Sequence, residues 1–275
     1  MKTSKKILLF LLTACVLFLS ALGVWLSEHY VTPILMYHIV DDTPKPEPNW
    51  VKPELFDHQM AYLKKNRYKV ISLQEYVDAV KEQKRLPRRS VVITFDDGYE
   101  DNYRNAFPIL KKYNFPATIF LVSSWVDTKG FLTVAQIHEM HSAGIDFGAH
   151  SRTHPHLPSL SNEEQEKEIV LSKKELEEKL GRPIKLMAYP FGGHNEQIKQ
   201  IVKNSGYDAA VTTNRGFSRF QEDRYALKRI RLSDKDNKDY ILWMKFLGYY
   251  NLLRKPRSPG EVIPQRCPDP KQIEN

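Results

Sequence analysis

From Pro33 to Leu232 the chain alternates between short apolar runs of strand character and longer segments whose apolar residues recur at helical spacing. Residues 34–37, 69–72, 91–95, 117–122, 145–149, 185–189, 209–213 and 226–232 read as strands, and Val91-Val92-Ile93-Thr94-Phe95 has the β-branched character of a fully buried one. The segments between them read as helices. Phe56, Met60 and Leu63 share one face in residues 55–65, Ser72 and Glu75 open a helix through Val80, and another runs near residues 102–113. Thr133 with Gln136 and Ser161 with Glu164 mark two further starts, ended by Gly144 and by Gly181 with Pro183, and residues 197–205 form the last. Alternation of this kind predicts an α/β fold, a parallel sheet with crossover helices, either closed as a barrel or open and doubly wound. There is no internal repeat.

The first segment bears on the compartment. After Lys2, Lys5 and Lys6, the 20 residues from Ile7 to Leu26 carry no charge, which is the length of a membrane-spanning helix. A signal peptide shares the basic start, and Ala21-Leu22-Gly23 offers a cleavage site for one. Leu12-Thr13-Ala14-Cys15 has the form of a lipoprotein box but sits too early in the apolar run. On each reading the lysines stay inside and the bulk of the chain is exported, either anchored in the cell membrane by a single pass or secreted after cleavage. Residues 1–29 are thus expected to be the tip and anchor or signal, 30–235 the folded domain, 236–255 an aromatic amphipathic helix and 256–275 a Pro-rich disordered tail. Tyr240, Trp243, Phe246, Tyr249 and Tyr250, followed by Arg254, Lys255 and Arg257, suit either packing on the domain or a bilayer interface.

Composition matters mainly for what it excludes. The net charge is +8, but three of those charges are the N-terminal lysines, and the tail adds an excess of two, so no dense basic stripe remains to bind nucleic acid. Two cysteines, Cys15 in the apolar run and Cys267 in the tail, make neither a disulfide framework nor a Cys-based metal site.

Two clusters carry chemistry. Asp96-Asp97-Gly98 directly follows the buried strand, at the end of a parallel sheet where α/β folds place their sites. His150-Ser151-Arg152-Thr153-His154-Pro155 follows the strand at 145–149 and so emerges at the same end. Two imidazoles four residues apart, completed by one carboxylate, make a His-His-Asp set for a divalent ion with open positions. A third element, Tyr189-Pro190-Phe191-Gly192-Gly193, also ends a strand, and its glycines let backbone approach a ligand.

Together, Thr94-Phe95-Asp96-Asp97-Gly98, His150-Ser151-x-x-His154-Pro155 and Tyr189-Pro190-Phe191-Gly192 resemble the first three motifs of the polysaccharide deacetylases, carbohydrate esterase family 4. The resemblance covers about residues 30–235 and implies a distorted (β/α) barrel of about seven strands behind the N-terminal membrane-spanning helix. It implies one divalent metal ion, usually Zn2+, held by Asp97, His150 and His154, with Asp96 as general base. Tyr189, Pro190, Phe191 and Gly192 would contact substrate or, through the Phe191 N–H, the oxyanion. The opening Pro33-Ile34-Leu35-Met36-Tyr37-His38 is similar to the subgroup acting on poly-N-acetylglucosamine, so the implied substrate is an N-acetylated glycan; the apolar first segment makes the cytoplasmic membrane the other expected partner.

Two departures stand out. Ala188 occupies the place of the family's motif-three arginine and Phe191 that of a tyrosine, while the last strand reads Leu227-Lys228-Arg229 where a Leu-x-His is usual. No histidine there can be the general acid. If another arginine must orient Asp96, Arg229 is the best placed, because a closed barrel brings the last strand beside the first. His38 ends the first strand and is a candidate for substrate contact or proton donation. His29, His58, His138 and His141 read as surface residues. The expected activity is removal of N-acetyl groups from an extracytoplasmic glycan; the alternatives are an inactive membrane-tethered glycan-binding protein and an O-acetyl esterase or amidase on a smaller substrate.

Overall fold

A computed structural model describes residues 2–42, 48–214 and 223–250. Its strands are β1 (Ile34–Tyr37), β2 (Ile39–Val40), β3 (Trp50–Val51), β4 (Lys69–Ile71), β5 (Ser90–Phe95), β6 (Ala117–Leu121), β7 (Ile145–Ala149), β8 (Leu186–Ala188), β9 (Ala209–Thr212), β10 (Leu227–Lys228) and β11 (Ile230–Arg231). The helices are α1 (Lys2–Glu28), α2 (Pro53–Lys65), α3 (Leu73–Lys81), α4 (Phe107–Tyr113), α5 (Val134–Ser142), α6 (Asn162–Leu180), α7 (Glu196–Asn204) and α8 (Asp239–Phe246). All pairings in the main sheet are parallel, in the order β10, β9, β8, β7, β6, β5, β1, β11. One edge of β5 is shared: Ser90–Val92 pair with β4, and Thr94 and Phe95 pair with β6.

The sheet curls until its ends meet on the last strand, making a distorted barrel. That strand differs from the continuous run expected at 226–232. It breaks at Arg229, so that Leu227 and Lys228 pair with β9 while Ile230 and Arg231 pair with β1. Counting β10 and β11 as one interrupted strand gives a ring of seven, with β4 as an added edge. The other boundaries move by a residue or two, and the helix expected near 102–113 begins with a π-helical turn at Asn102–Ala106. The wide turn lets the Asn102 and Asn105 amides donate to the carbonyls of His38 and Val40, fastening the segment after β1.

Period-two alternation divides the core although nearly every strand residue is buried. Ile34, Val92, Phe120, Leu186, Ala188, Val211 and Leu227 form the inner cluster, with Leu73, Tyr76 and Val77 of α3 closing its base. The alternate residues, such as Leu35, Ile93, Ile119, Phe147 and Met187, meet the surrounding helices in a larger outer cluster. Gly148 is required by this packing. A Cβ there would lie 2.6 Å from Phe120 Cδ1 and 2.7 Å from the Leu186 carbonyl oxygen. Local signals set the helices as expected: complete capping boxes open α5 and α6, and Gly181 ends α6 at φ 64°.

α1 stands outside the barrel, with a 24-residue apolar stretch, Lys5–Glu28, that is not buried by protein. α8 is shorter than the helix expected at 236–255; residues from 251 onward, including Cys267 and the expected tail, lie outside the described residues.

Candidate active site

Asp96 and Asp97 leave β5 at the C-terminal end of the barrel, where the chain turns sharply: Asp97 and Gly98 both have positive φ, 74° and 73°. Positive φ costs a non-glycine residue roughly 1–3 kcal/mol, and the same conformation recurs at Ser151 (60°), His154 (63°) and Phe191 (56°). All four strained positions surround one mouth.

One corner of that mouth joins Asp97, His150 and His154. The Nε2 atoms of His150 and His154 lie 3.5 and 3.4 Å from Asp97 Oδ1, and the three donor atoms fall within 4.8 Å of one another. Donors placed about 2.0–2.2 Å from a tetrahedral ion stand about 3.3–3.6 Å apart, so this spacing suits a shared ion better than a hydrogen bond. His150 Nδ1 is 2.8 Å from the Ala188 carbonyl oxygen. Donation there puts the proton on Nδ1 and leaves Nε2 as the ligating atom. Burial lowers the pKa of both imidazoles, most strongly at His154, and so favours the neutral form that binds metal.

His154 is delivered by a turn rather than a strand. Its N–H donates to Ser151 Oγ, while Glu168 of α6 accepts from the Arg152 N–H (2.9 Å), the Thr153 N–H (2.8 Å) and the Thr153 hydroxyl (2.7 Å). Trp125 and Phe191 flank the His154 ring at 5.5 and 4.7 Å.

The opposite corner belongs to Asp96. Arg229 Nη1 and Nη2 donate to its Oδ1 and Oδ2, both at 2.6 Å, in a bidentate pair. The same guanidinium donates to Thr94 Oγ1 and, through Nε, to the Thr212 carbonyl. It also lies 5.6 Å from the Phe120 ring centre. Burial alone would raise the Asp96 pKa, but the Arg229 guanidinium outweighs it and holds the carboxyl well below the usual range. His38 Nε2 is 3.9 Å from Asp96 Oδ2. Burial lowers the His38 pKa to about 4 against the opposing pull of Asp96, leaving a neutral ring at pH 7.

The third motif divides by direction. Phe191 stands at the mouth, and among the described residues nothing accepts its N–H. Gly192 lies under Thr213, whose Oγ1 a Cβ would meet at 2.2 Å. Pro190 is buried within the short turn at Pro190–Gly192. Tyr189 points the other way: its ring joins the outer cluster, stacks on His194 and donates through its hydroxyl to the Tyr225 carbonyl. His58, His138 and His141 are exposed, and His29 stacks on Trp25 at the end of α1.

Sequence reasoning did not single out Thr94 as a partner of the arginine, Glu168 as the brace of the histidine turn, or Asp101. Burial raises the Asp101 pKa to about 7, and its carboxyl accepts the Val40 N–H and the Asn102 amide. Glutamates are frequent along α6, so spacing gave Glu168 no distinction.

Comparison with known proteins adds a family. Residues 83–210 match the family model for polysaccharide deacetylase. YxkH of Bacillus subtilis, itself assigned to the polysaccharide deacetylases, is 34% identical over 73% of this chain and 71% of its own length. The poly-beta-1,6-N-acetyl-D-glucosamine N-deacetylase of Staphylococcus epidermidis is 31% identical over 65% of this chain, which spans 66% of that enzyme. Among solved structures, the deacetylase PplD of Streptococcus pyogenes superposes with a TM-score of 0.73 at 32% identity, over 78% of this chain and 97% of that one.

Proposed function

This chain belongs to the polysaccharide deacetylase family, and from that membership and the geometry of the mouth we propose that it hydrolyses N-acetyl groups of an extracytoplasmic glycan, of the poly-β-1,6-N-acetylglucosamine class on which its staphylococcal relatives act. The observation that carries the reading is Asp96. It is a second buried carboxylate beside, but outside, the Asp97–His150–His154 set, and it is held ionised by Arg229. A glycan-binding module would need no such base.

An ion held by Asp97, His150 and His154, with zinc suiting the donor set, would supply Lewis acidity toward the acetyl carbonyl and toward an attacking water. Asp96 takes the proton of that water as its oxygen adds to the carbonyl carbon. The Arg229 fork keeps the carboxylate charged and fixes its rotamer, at the expense of some basicity. The Phe191 N–H donates to the developing oxyanion. When the C–N bond breaks, Asp96 returns its proton to the leaving amine and acetate departs; neutral His38 is the other proton carrier within reach. We place this domain outside the cytoplasmic membrane with α1 as a retained anchor, a reading supported by the basic start and the unburied apolar length of α1.

The test is acetate release by the purified full chain from an oligomer of β-1,6-linked N-acetylglucosamine. Asp96→Asn should keep the metal and lose turnover by a factor on the order of 10² or more. Near-normal turnover in that variant, or release only from O-acetylated sugars, would overturn the assignment.

A further inference from the structure

α8 is apolar on two faces, and protein covers one of them. Leu242 and Phe246 are buried, the latter against Tyr62 and Tyr68. Tyr240, Trp243 and Met244, at positions i, i+3 and i+4, remain 59%, 52% and 41% exposed. Apart from α1 and Val170, they are the only large apolar side chains exposed among the described residues. Large apolar side chains grouped on the exposed side of one helix mark a surface that meets another apolar phase or partner.

The position of this stripe says which. The end of α8 is fastened to the point where α1 leaves the barrel. The Tyr249 hydroxyl donates to the Leu26 carbonyl at 2.8 Å, and the Val31 N–H donates to the Gly248 carbonyl at 3.1 Å. Gly248, at φ 82°, admits the Tyr30 ring where a Cβ would collide, and the Tyr30 hydroxyl accepts the Arg89 N–H. This junction lies at the base of the barrel, beside the ends of the strands remote from the mouth. Lys64, Lys65, Arg67, Arg85 and Arg88 are exposed there, and among the described residues none pairs with a carboxylate. Like charges oppose a second copy of this surface and attract anionic headgroups. Trp and Tyr are the side chains that settle at a bilayer interface.

We propose that Tyr240, Trp243 and Met244, with the basal cations, form a docking face seated on the anionic surface of the bilayer that holds α1. This rests on the reading of α1 as a retained span. The barrel then stands base-down, with its mouth turned away from the lipid. The six residues of β5, at roughly 3.3 Å each along a strand tilted about 36°, set Asp96 and Asp97 about 16 Å above the base. The substrate is accordingly a glycan segment already extended from the membrane, and not a sugar still held at the lipid surface.

The full chain, with Cys15 and Cys267 replaced by serine, is reconstituted in phosphatidylglycerol-rich vesicles and spin-labelled at Trp243→Cys, Tyr240→Cys or, near the mouth, Lys129→Cys. These three side chains are exposed, so labels there disturb no buried contact. Labels at 243 and 240 should be relaxed more by oxygen than by a water-soluble nickel chelate, and the label at 129 the reverse. Equal aqueous exposure at all three sites overturns the docking face, as does spin–spin broadening at 243, which would put a second copy there. Failure of the chain to sediment with the vesicles removes the span and the docking face together. Acetate release from a soluble oligomer by the same labelled chains reports separately on the catalytic reading.

Discussion

Asp96 and Asp97 are neighbours in sequence and equally buried, yet they belong to opposite kinds of environment. Asp96 meets a guanidinium through two charge-assisted bonds, so its corner is balanced within the fold. Asp97 faces two imidazoles that burial keeps neutral, with donor atoms spaced for an ion. The first corner is complete as folded, and the second is arranged to take up a cation. This difference supports the proposed division into base and ligand, which the Asp-Asp-Gly sequence by itself leaves equivalent.

The largest expected effect breaks the second corner. His150→Ala or His154→Ala leaves two protein donors, too few to hold a catalytic ion tightly. Each variant should purify with little metal and show background acetate release. Full metal content by elemental analysis in both variants would refute the site.

The first corner breaks differently. Arg229→Met strands the Asp96 carboxylate in a buried site, and removing one member of such a pair costs about 3–5 kcal/mol. Unfolding in denaturant should register that loss, and turnover should fall while the metal remains. Adding Asp96→Asn removes the stranded charge and should restore much of the stability but none of the turnover. If Arg229→Met alone is as stable as the parent, the pair contributes nothing to the fold.

Arg229 also marks where sequence reasoning reached and where it stopped. The alternating pattern made a parallel α/β sheet legible, and the motif residues appeared at strand ends because each follows a run of buried strand. Closure was not legible in the alternation, which left barrel and open sheet equal, and came only from the family resemblance, because it depends on one strand changing partners at Arg229 and no local propensity encodes which neighbour a strand edge will meet. Period-two alternation correctly separated Leu227 and Arg229 from Ile230 and Leu232, but only the ring decided which set points inward. Tyr189 shows the converse error of reading a motif as a block: Phe191, two residues on, stands against His154 at the mouth, while Tyr189 turns outward to the Tyr225 carbonyl.

His38 offers a pH-dependent way to sharpen the contrast. Its folded pKa is about 4, below the ordinary 6.5, so the unfolded chain binds the proton more readily. Its contribution therefore reduces stability as pH falls from about 6.5 toward 4, and is absent above that window. A shift of this size corresponds to roughly 3 kcal/mol at the acid end. His38→Gln should flatten the difference in unfolding free energy between pH 7 and pH 4 in the metal-free protein. A parallel pH dependence in both chains would show that His38 titrates normally.

The smallest effect concerns how each ligand is held. His150 follows directly from β7 and is oriented by a backbone carbonyl that no side-chain substitution removes. His154 depends on a strained turn braced by one half-buried side chain, Glu168, through three hydrogen bonds. Loss of such an outer support typically lowers metal affinity 10- to 100-fold. Glu168→Ala should sit near the lower figure, about 10-fold, because Ser151 still accepts the His154 N–H. The Arg229–Asp96 pair lies on other elements and should be untouched, so Asp96 stays base-competent and turnover recovers when metal is supplied in excess. Competition titration with a chelator reads the affinity, and saturating metal reads the recovery. Unchanged affinity would mean that the turn holds its own shape, and lost turnover at saturating metal would mean that the two corners are not independent.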